Sequence, residues 1–132
     1  MLLNLSNNLA PFSNPTKKIL VADDEEDIRK IFHEFLKDSF EVRMAKNGKE
    51  AVVIAREWKP DLILMDIKMP EMSGIEASRI ILSNANLPII AITAFQGSIQ
   101  KQVEELGLHY LRKPFRLKTI LEKINCLISS NC

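Results

Sequence analysis

The chain has 132 residues, with 18 lysines and arginines against 17 aspartates and glutamates, which gives a formal net charge of +1. This length is typical of one domain, and the near-neutral charge offers no electrostatic argument for a nucleic-acid or membrane partner. No apolar run approaches the roughly 18 residues of a membrane-spanning helix, and the first residues lack the basic and apolar regions of a secretory signal. We therefore expect a cytoplasmic protein that binds neither nucleic acid nor membranes.

The first sixteen residues differ in composition from the rest of the chain. They are rich in Asn, Ser and Pro and show no sustained hydrophobic period. Segments of this composition do not form a packed core by themselves. We predict a flexible N-terminal extension over residues 1–16 and a single domain over residues 17–132.

Five short segments have the pattern of β-strands. Residues 19–22, 62–65 and 89–92 are apolar without interruption, which is typical of strands that are buried on both faces. Residues 40–44 alternate with period two, which indicates a half-buried edge strand. Residues 108–111 are predicted to form the last strand.

A helical pattern follows each predicted strand. Ile28, Ile31, Phe32 and Phe35 are spaced by three and four residues and so share one face of a helix. Similar apolar stripes occur within residues 51–58, 75–81, 99–106 and 117–128. The alternation of five strands and five helices predicts an α/β domain of three layers, (βα)5, in which helices cover both faces of a parallel five-stranded sheet.

Charged and polar side chains stand at the carboxyl ends of these strands, the edge at which open α/β sheets bind their ligands. Asp23 and Asp24 follow the first strand, and Asp66 follows the third. Thr93 follows the fourth strand and Lys113 the fifth. Three neighbouring carboxylates repel one another unless a cation lies among them, and their oxygens suit Mg²⁺. Because Lys113 can neutralise a dianion, the arrangement favours a phosphoryl ligand.

A simpler explanation exists for each residue taken alone. Acidic residues after a strand often cap a helix or occupy its first turn, as residues 23–27 could. Asp66 could cap a turn, and Lys113 could be a solvated charge. Four strand ends that together supply one set of ligands are far harder to explain by chance, so the site interpretation is favoured.

From about Lys17 onward the chain resembles the receiver domains of two-component response regulators, the CheY-like family. The resemblance rests on four segments, each at a predicted strand end: VADDE at 21–25, DIKMPEMSG at 66–74, ITA at 92–94 and KPF at 113–115. It implies a doubly wound, flavodoxin-like fold with the strand order 2-1-3-4-5.

The resemblance also implies the metal ligands and the phosphoacceptor. Asp66 would accept the phosphoryl group. Asp24 and Asp66 would bind Mg²⁺ directly, together with the backbone carbonyl of Lys68. Asp23 would bind the same ion through a water molecule.

Three further residues would respond to the phosphoryl group, according to the same resemblance. Lys113 would pair with one phosphoryl oxygen, and the Lys113–Pro114 bond is expected to be cis. Thr93 would donate a hydrogen bond to another oxygen, and Tyr110 would be the aromatic switch that moves inward as Thr93 shifts. The output surface would comprise the fourth helix, the fifth strand and the fifth helix.

We therefore expect a single-domain response regulator, a signalling switch rather than an enzyme. It would receive a phosphoryl group from a sensor histidine kinase or a histidine phosphotransfer protein and then bind a downstream protein or relay the group onward. We expect no output domain, because the last predicted helix reaches the end of the printed sequence. One alternative is a degenerate receiver that docks without phosphorylation. Another, an aspartate-nucleophile phosphatase, is disfavoured because Lys68 stands where such an enzyme needs a second aspartate.

Overall fold

Strands and helices alternate throughout the part of the chain that the computed structural model describes, residues 16–94 and 97–129. The elements are β1 (Lys18–Ala22), α1 (Glu26–Leu36), β2 (Glu41–Ala45), α2 (Gly48–Trp58), β3 (Leu62–Asp66), α3 (Gly74–Leu82), β4 (Ile89–Thr93), α4 (Ser98–Glu105), β5 (His109–Arg112) and α5 (Leu117–Ser129). The extension predicted over residues 1–16 lies outside the described residues except for Thr16, and its flexibility stays a prediction.

The five strands form one sheet in the order β2-β1-β3-β4-β5, and every neighbouring pair is parallel. In chain numbering this order is 2-1-3-4-5. The predicted doubly wound (βα)5 fold is therefore confirmed. None of the helices in the described residues combines the length and the apolar character that crossing a lipid bilayer would require.

Two apolar layers hold the sheet between the helices. Successive residues of a strand face opposite sides, so Leu20 belongs to the layer that α2, α3 and α4 cover, and Ile19 and Val21 belong to the layer that α1 and α5 cover. The buried helical residues of the α1–α5 layer are Phe32, Leu36, Ile120 and Ile124. Covering both faces in this way leaves the carboxyl edge of the sheet as the place for polar groups.

The edge strand β2 begins one residue later than its pattern predicts. The Phe40 N–H donates to the carbonyl of Leu36 at 3.0 Å, which ties Phe40 to the end of α1. The Glu41 N–H instead donates to the Lys17 carbonyl at 2.9 Å and starts the ladder with β1. Phe40 is apolar because it is buried in the α1–α5 layer, not because it belongs to the strand.

Polar side chains mark the starts of two helices that lie next to the site. The Asn47 Oδ1 accepts the Glu50 N–H at 2.8 Å at the start of α2, and the Ser73 Oγ accepts the Glu76 N–H at 3.2 Å at the start of α3. Both contacts satisfy an amide that has no partner inside its helix. They determine where α2 and α3 leave the carboxyl edge of the sheet.

Candidate functional site

Three carboxylates meet at the carboxyl edge of the sheet. Asp23 follows β1 and Asp66 ends β3, and these two strands are paired neighbours. Oxygen atoms of Asp23, Asp24 and Asp66 all lie within 4.8 Å of one another. Asp23 and Asp66 are buried whereas Asp24 is exposed, so one side of the cluster opens to solvent. The structure thus brings together the acidic residues that the sequence predicted.

Three hydrogen bonds fix the position of Asp23 in the cluster. Its Oδ1 accepts the Glu25 N–H at 2.9 Å, and its carbonyl accepts a hydrogen bond from Arg29 Nη1 at 2.8 Å. Its own N–H donates to the Ala45 carbonyl at 3.0 Å. Arg29 was missed by the sequence analysis, because a cation in the first turns of a helix carries no signal of such a contact.

Lys113 follows β5 and approaches the carboxylate of Asp66. Its Nζ lies 3.7 Å from Oδ1 of Asp66. The Lys113 N–H donates to the Thr93 carbonyl at 2.9 Å, which joins the end of β5 to the end of β4. The Lys113–Pro114 peptide bond is cis, as expected. The cation predicted to face the carboxylates is therefore beside the residue predicted to be phosphorylated.

The surroundings of Asp66 disfavour its charged form in the absence of a metal. Burial raises the pKa of Asp66 to about 6, and the negative charge of Asp23 contributes to the increase. The Lys113 cation and a hydrogen bond from the Lys68 N–H act in the opposite direction. Burial also raises the pKa of Asp23. Burial and the repulsion among the acids both disfavour the charged carboxylates, and a divalent cation among the oxygens would offset both penalties.

The donor set fits Mg²⁺. Carboxylate oxygens are hard ligands, and Mg²⁺ is typically held by one or two of them while it keeps several waters. Here two carboxylates are buried and the third is exposed beside a cavity of about 680 Å³. That space can accommodate a hydrated ion and a phosphoryl group. Sodium-like ions of single charge would offset the repulsion less completely.

Most of the predicted site residues line this cavity, but Asp23 and Tyr110 do not. Asp66, Thr93 and Lys113 line it, together with Glu25 and Met69, which the sequence analysis had not singled out. Tyr110 lies in β5, half-buried against the α2–α3–α4 layer, and its register partner is Ala91. The β4–β5 pair therefore offers one path between Tyr110 and the cavity.

The loop after Asp66 turns back closely onto the strand that it leaves. The Gly74 N–H donates to the Ile67 carbonyl at 2.8 Å. A Cβ at position 74 would run into the Asp66 carbonyl oxygen and would lie 2.8 Å from the Ile67 Cα. Glycine is required here for space, a reason that its place in the DIKMPEMSG segment could not reveal.

Comparison with known proteins assigns the chain to a family. Residues 19–125 match the sequence profile of the response regulator receiver domain. The transcriptional regulatory protein PdtaR of Mycobacterium tuberculosis is 38% identical over 117 residues, which cover 86% of this chain and 57% of PdtaR. The chain thus spans little more than half of that relative. The polar-differentiation response regulator DivK of Brucella anthropi is 35% identical over 114 residues, covering 82% of this chain and 93% of DivK.

Solved structures agree with the sequence match. The chemotaxis protein CheY4 of Vibrio cholerae is similar with a TM-score of 0.79 at 28% identity, covering 86% of this chain and 99% of that one. A co-crystal structure contains the Saccharomyces cerevisiae histidine phosphotransfer protein Ypd1 and the receiver domain of Ssk1. One of its chains is similar to this one with a TM-score of 0.80 at 29% identity, and the match covers 89% of this chain and 92% of that chain. The profile match extends over most of the residues of β1 to α5, and the chain therefore belongs to the response regulator receiver domain family.

Proposed function

We propose that this chain is a phosphorylation switch and that Asp66 is the residue that carries the phosphoryl group. The observation that carries the proposal is the 3.7 Å approach of Lys113 Nζ to Asp66 Oδ1 at an open cavity, with carboxylate oxygens of Asp23 and Asp24 within 4.8 Å of the Asp66 carboxylate. A buried carboxylate that faces both a cation and an acidic pair is suited to binding a metal-bound phosphoryl group. The family membership supports the same function.

The donor in the proposed reaction is a phosphohistidine of a partner protein. An Asp66 carboxylate oxygen attacks phosphorus, the new P–O bond forms and the P–N bond to the histidine breaks. Such transfers proceed through a loose, in-line transition state, so the chain mainly has to position groups and balance charge. Lys113 pairs with a phosphoryl oxygen, and the Thr93 hydroxyl donates a hydrogen bond to another.

We assign a Mg²⁺ site to the carboxylates of Asp24 and Asp66 and the backbone carbonyl of Lys68, with Asp23 acting through a water molecule. When bound, the ion supplies positive charge to the oxygens of the transferred group. The short distances among the three carboxylates and the raised pKa values of Asp23 and Asp66 support this assignment.

The proposed partners are a sensor histidine kinase or a histidine phosphotransfer protein before the switch, and a target protein or the next relay protein after it. The similar Ssk1 receiver domain, which was crystallised with the phosphotransfer protein Ypd1, supports the first partner class. These partners place the proposed activity in the cytoplasm. Lys68 stands two residues after Asp66, where an aspartate-nucleophile phosphatase needs a second aspartate, so we propose a switch rather than an enzyme.

Phosphorylation of the purified chain tests the proposal. With acetyl phosphate and Mg²⁺, intact-mass spectrometry should show one added phosphoryl group, and either EDTA or Asp66→Asn should abolish it. Asp61→Asn is the matched control and should be labelled like the wild type, because the Asp61 carboxylate accepts the Lys18 N–H at the other end of the sheet. Labelling of Asp66→Asn at the wild-type rate would contradict the assignment. An unlabelled wild type would instead favour phosphorylation-independent docking.

A further inference from the structure

A second cavity lies at the edge of the sheet opposite to Asp66. It measures about 460 Å³ and is enclosed by α2, α3 and the segment that leads into β4. Its apolar surface comes from Val52 and Ala55 of α2, Ile80 of α3 and Leu87 ahead of β4. A five-residue strand separates the two edges by about 16 Å. The cavity is therefore independent of the proposed phosphorylation site.

The rim of this cavity is cationic. Arg56 and Lys59 line it and both are exposed, and within residues 16–94 and 97–129 neither forms an ion pair. No carboxylate is among the described residues that line it. An apolar interior with an unopposed pair of cations complements a ligand that has an apolar body and an anionic head.

The carbonyls at the helix ends nearby do not cancel this charge. Each helix C-terminus carries only about half a negative charge. At the end of α3 the Ile80 carbonyl already accepts a hydrogen bond from the Ser83 Oγ at 2.6 Å. At the end of α2 the Ala55 carbonyl accepts the Lys59 N–H. Two full positive charges therefore dominate the rim.

We propose that this cavity binds a small amphipathic anion, with its apolar body between α2 and α3 and its carboxylate or phosphate head between Arg56 and Lys59. The volume is within the roughly 300–1,000 Å³ that is common for small-molecule sites. A guanidinium and an ammonium group supply several donors to such a head group.

Titration with decanoate and decyl phosphate, below their micellar concentrations, tests the proposal by amide chemical shifts. Saturable shifts should concentrate in residues 52–60 and 80–87 for at least one of the two anions, and the stronger of them identifies the head group. Decanol should bind about tenfold more weakly or worse, because it lacks the charge. The variant Arg56→Gln/Lys59→Gln should bind the anions about tenfold more weakly than the wild type does.

The matched control is Arg79→Gln/Lys101→Gln, which removes the same charge from exposed positions that do not line the cavity. It should leave affinity unchanged. Ala55→Leu, which fills the cavity while it keeps both cations, should abolish binding. The proposal is overturned if neither anion gives saturable shifts in these residues, if decanol binds as tightly as the anions, or if the control variant weakens binding equally. Sedimentation that shows a second copy covering this face would also overturn it.

Discussion

At the scale of single residues, Asp66 makes the stability of the metal-free protein depend on pH. Its pKa is about 6 in the folded chain against an ordinary value of 3.8. The folded state thus binds the proton more tightly, and the stability that is fully present below pH 3.8 is lost as the pH rises to about 6. The loss amounts to at most about 3 kcal/mol.

We predict that Asp66→Asn is more stable than the wild type at pH 7 in EDTA, by up to about 3 kcal/mol, and that the difference disappears near pH 3.5. Urea denaturation of both proteins across this range measures it. Asp38→Asn, which changes an exposed acid, should show no such divergence. Adding Mg²⁺ should stabilise the wild type more than the variant. A difference that is constant with pH would contradict the electrostatic explanation.

Ser78 is a second residue whose effect is invisible in the sequence. It lies on the buried face of α3, is fully inaccessible, and its Oγ has no hydrogen-bond partner among the described residues. A buried hydroxyl without a partner is unfavourable by about 1–3 kcal/mol. The apolar stripe of α3 places position 78 on the buried face, between Ile75 and Ile81, but it does not reveal that the hydroxyl there has no partner.

We predict that Ser78→Ala raises the free energy of unfolding by about 1 kcal/mol, since the small loss of packing partly offsets the removed penalty. Ser83→Ala is a useful contrast, because the exposed Ser83 Oγ donates to the Ile80 carbonyl. That variant should be neutral or slightly destabilised. Thermal and urea unfolding should show a gain in stability for Ser78→Ala and none for Ser83→Ala, and a destabilised Ser78→Ala would refute the prediction.

At the scale of secondary-structure elements, the sequence predicts which residues form the middle of a strand but not where the strand begins. The continuous apolar runs of β1, β3 and β4 predict strands because each is buried on both faces. The start of β2 depends instead on which carbonyl accepts the Phe40 N–H, and no local pattern records that partner. The same limit applies to the candidate site. Acidic residues at strand ends predict the carboxylate cluster. The hydrogen bond from Arg29 to the Asp23 carbonyl could not be predicted, because it depends on how α1 packs against the sheet.

The start of α3 illustrates how an element positions the site. Gly74 begins α3 directly against the Asp66 backbone, and an added Cβ would collide with it. Overpacking of this kind typically costs about 1–3 kcal/mol and shifts the backbone. We predict that Gly74→Ala loses stability in that range and is phosphorylated by acetyl phosphate markedly more slowly, because the Asp66 carboxylate moves relative to Lys113.

Gly107→Ala is the control for this prediction. Gly107 has φ of 72° but nothing lies within 4 Å of an added Cβ there, so the variant introduces backbone strain without crowding. It should lose a comparable amount of stability and yet keep the wild-type phosphorylation rate. If both variants slow phosphorylation equally, the effect arises from lost stability and not from the position of Asp66.

At the scale of the whole molecule, β4 and β5 connect the site to the face formed by α4, β5 and α5. The Lys113 N–H binds the Thr93 carbonyl, and Tyr110 pairs in register with Ala91. Tyr110 is half-buried against the layer that contains Val103 of α4. We propose that a shift of Thr93 toward a phosphoryl group changes the space beside the Tyr110 ring. Such a change would alter the output surface that the sequence resemblance predicts at α4, β5 and α5.

Thr93→Ala separates phosphorylation from this response. The phosphoryl group brings a charge of about −1.5 to −2 and strong acceptor oxygens, and Thr93 donates one hydrogen bond to it in the proposed mechanism. Two arrangements that differ by a few kcal/mol can exchange populations through such a contact.

We predict that Thr93→Ala retains most Asp66 phosphorylation but shows smaller amide shifts over residues 97–116 when beryllofluoride, a phosphoryl mimic, is added with Mg²⁺. Thr16→Ala, an exposed threonine ahead of β1, should respond like the wild type. Equal shifts in wild type and Thr93→Ala would disprove the coupling through Thr93 while leaving Asp66 as the phosphoacceptor.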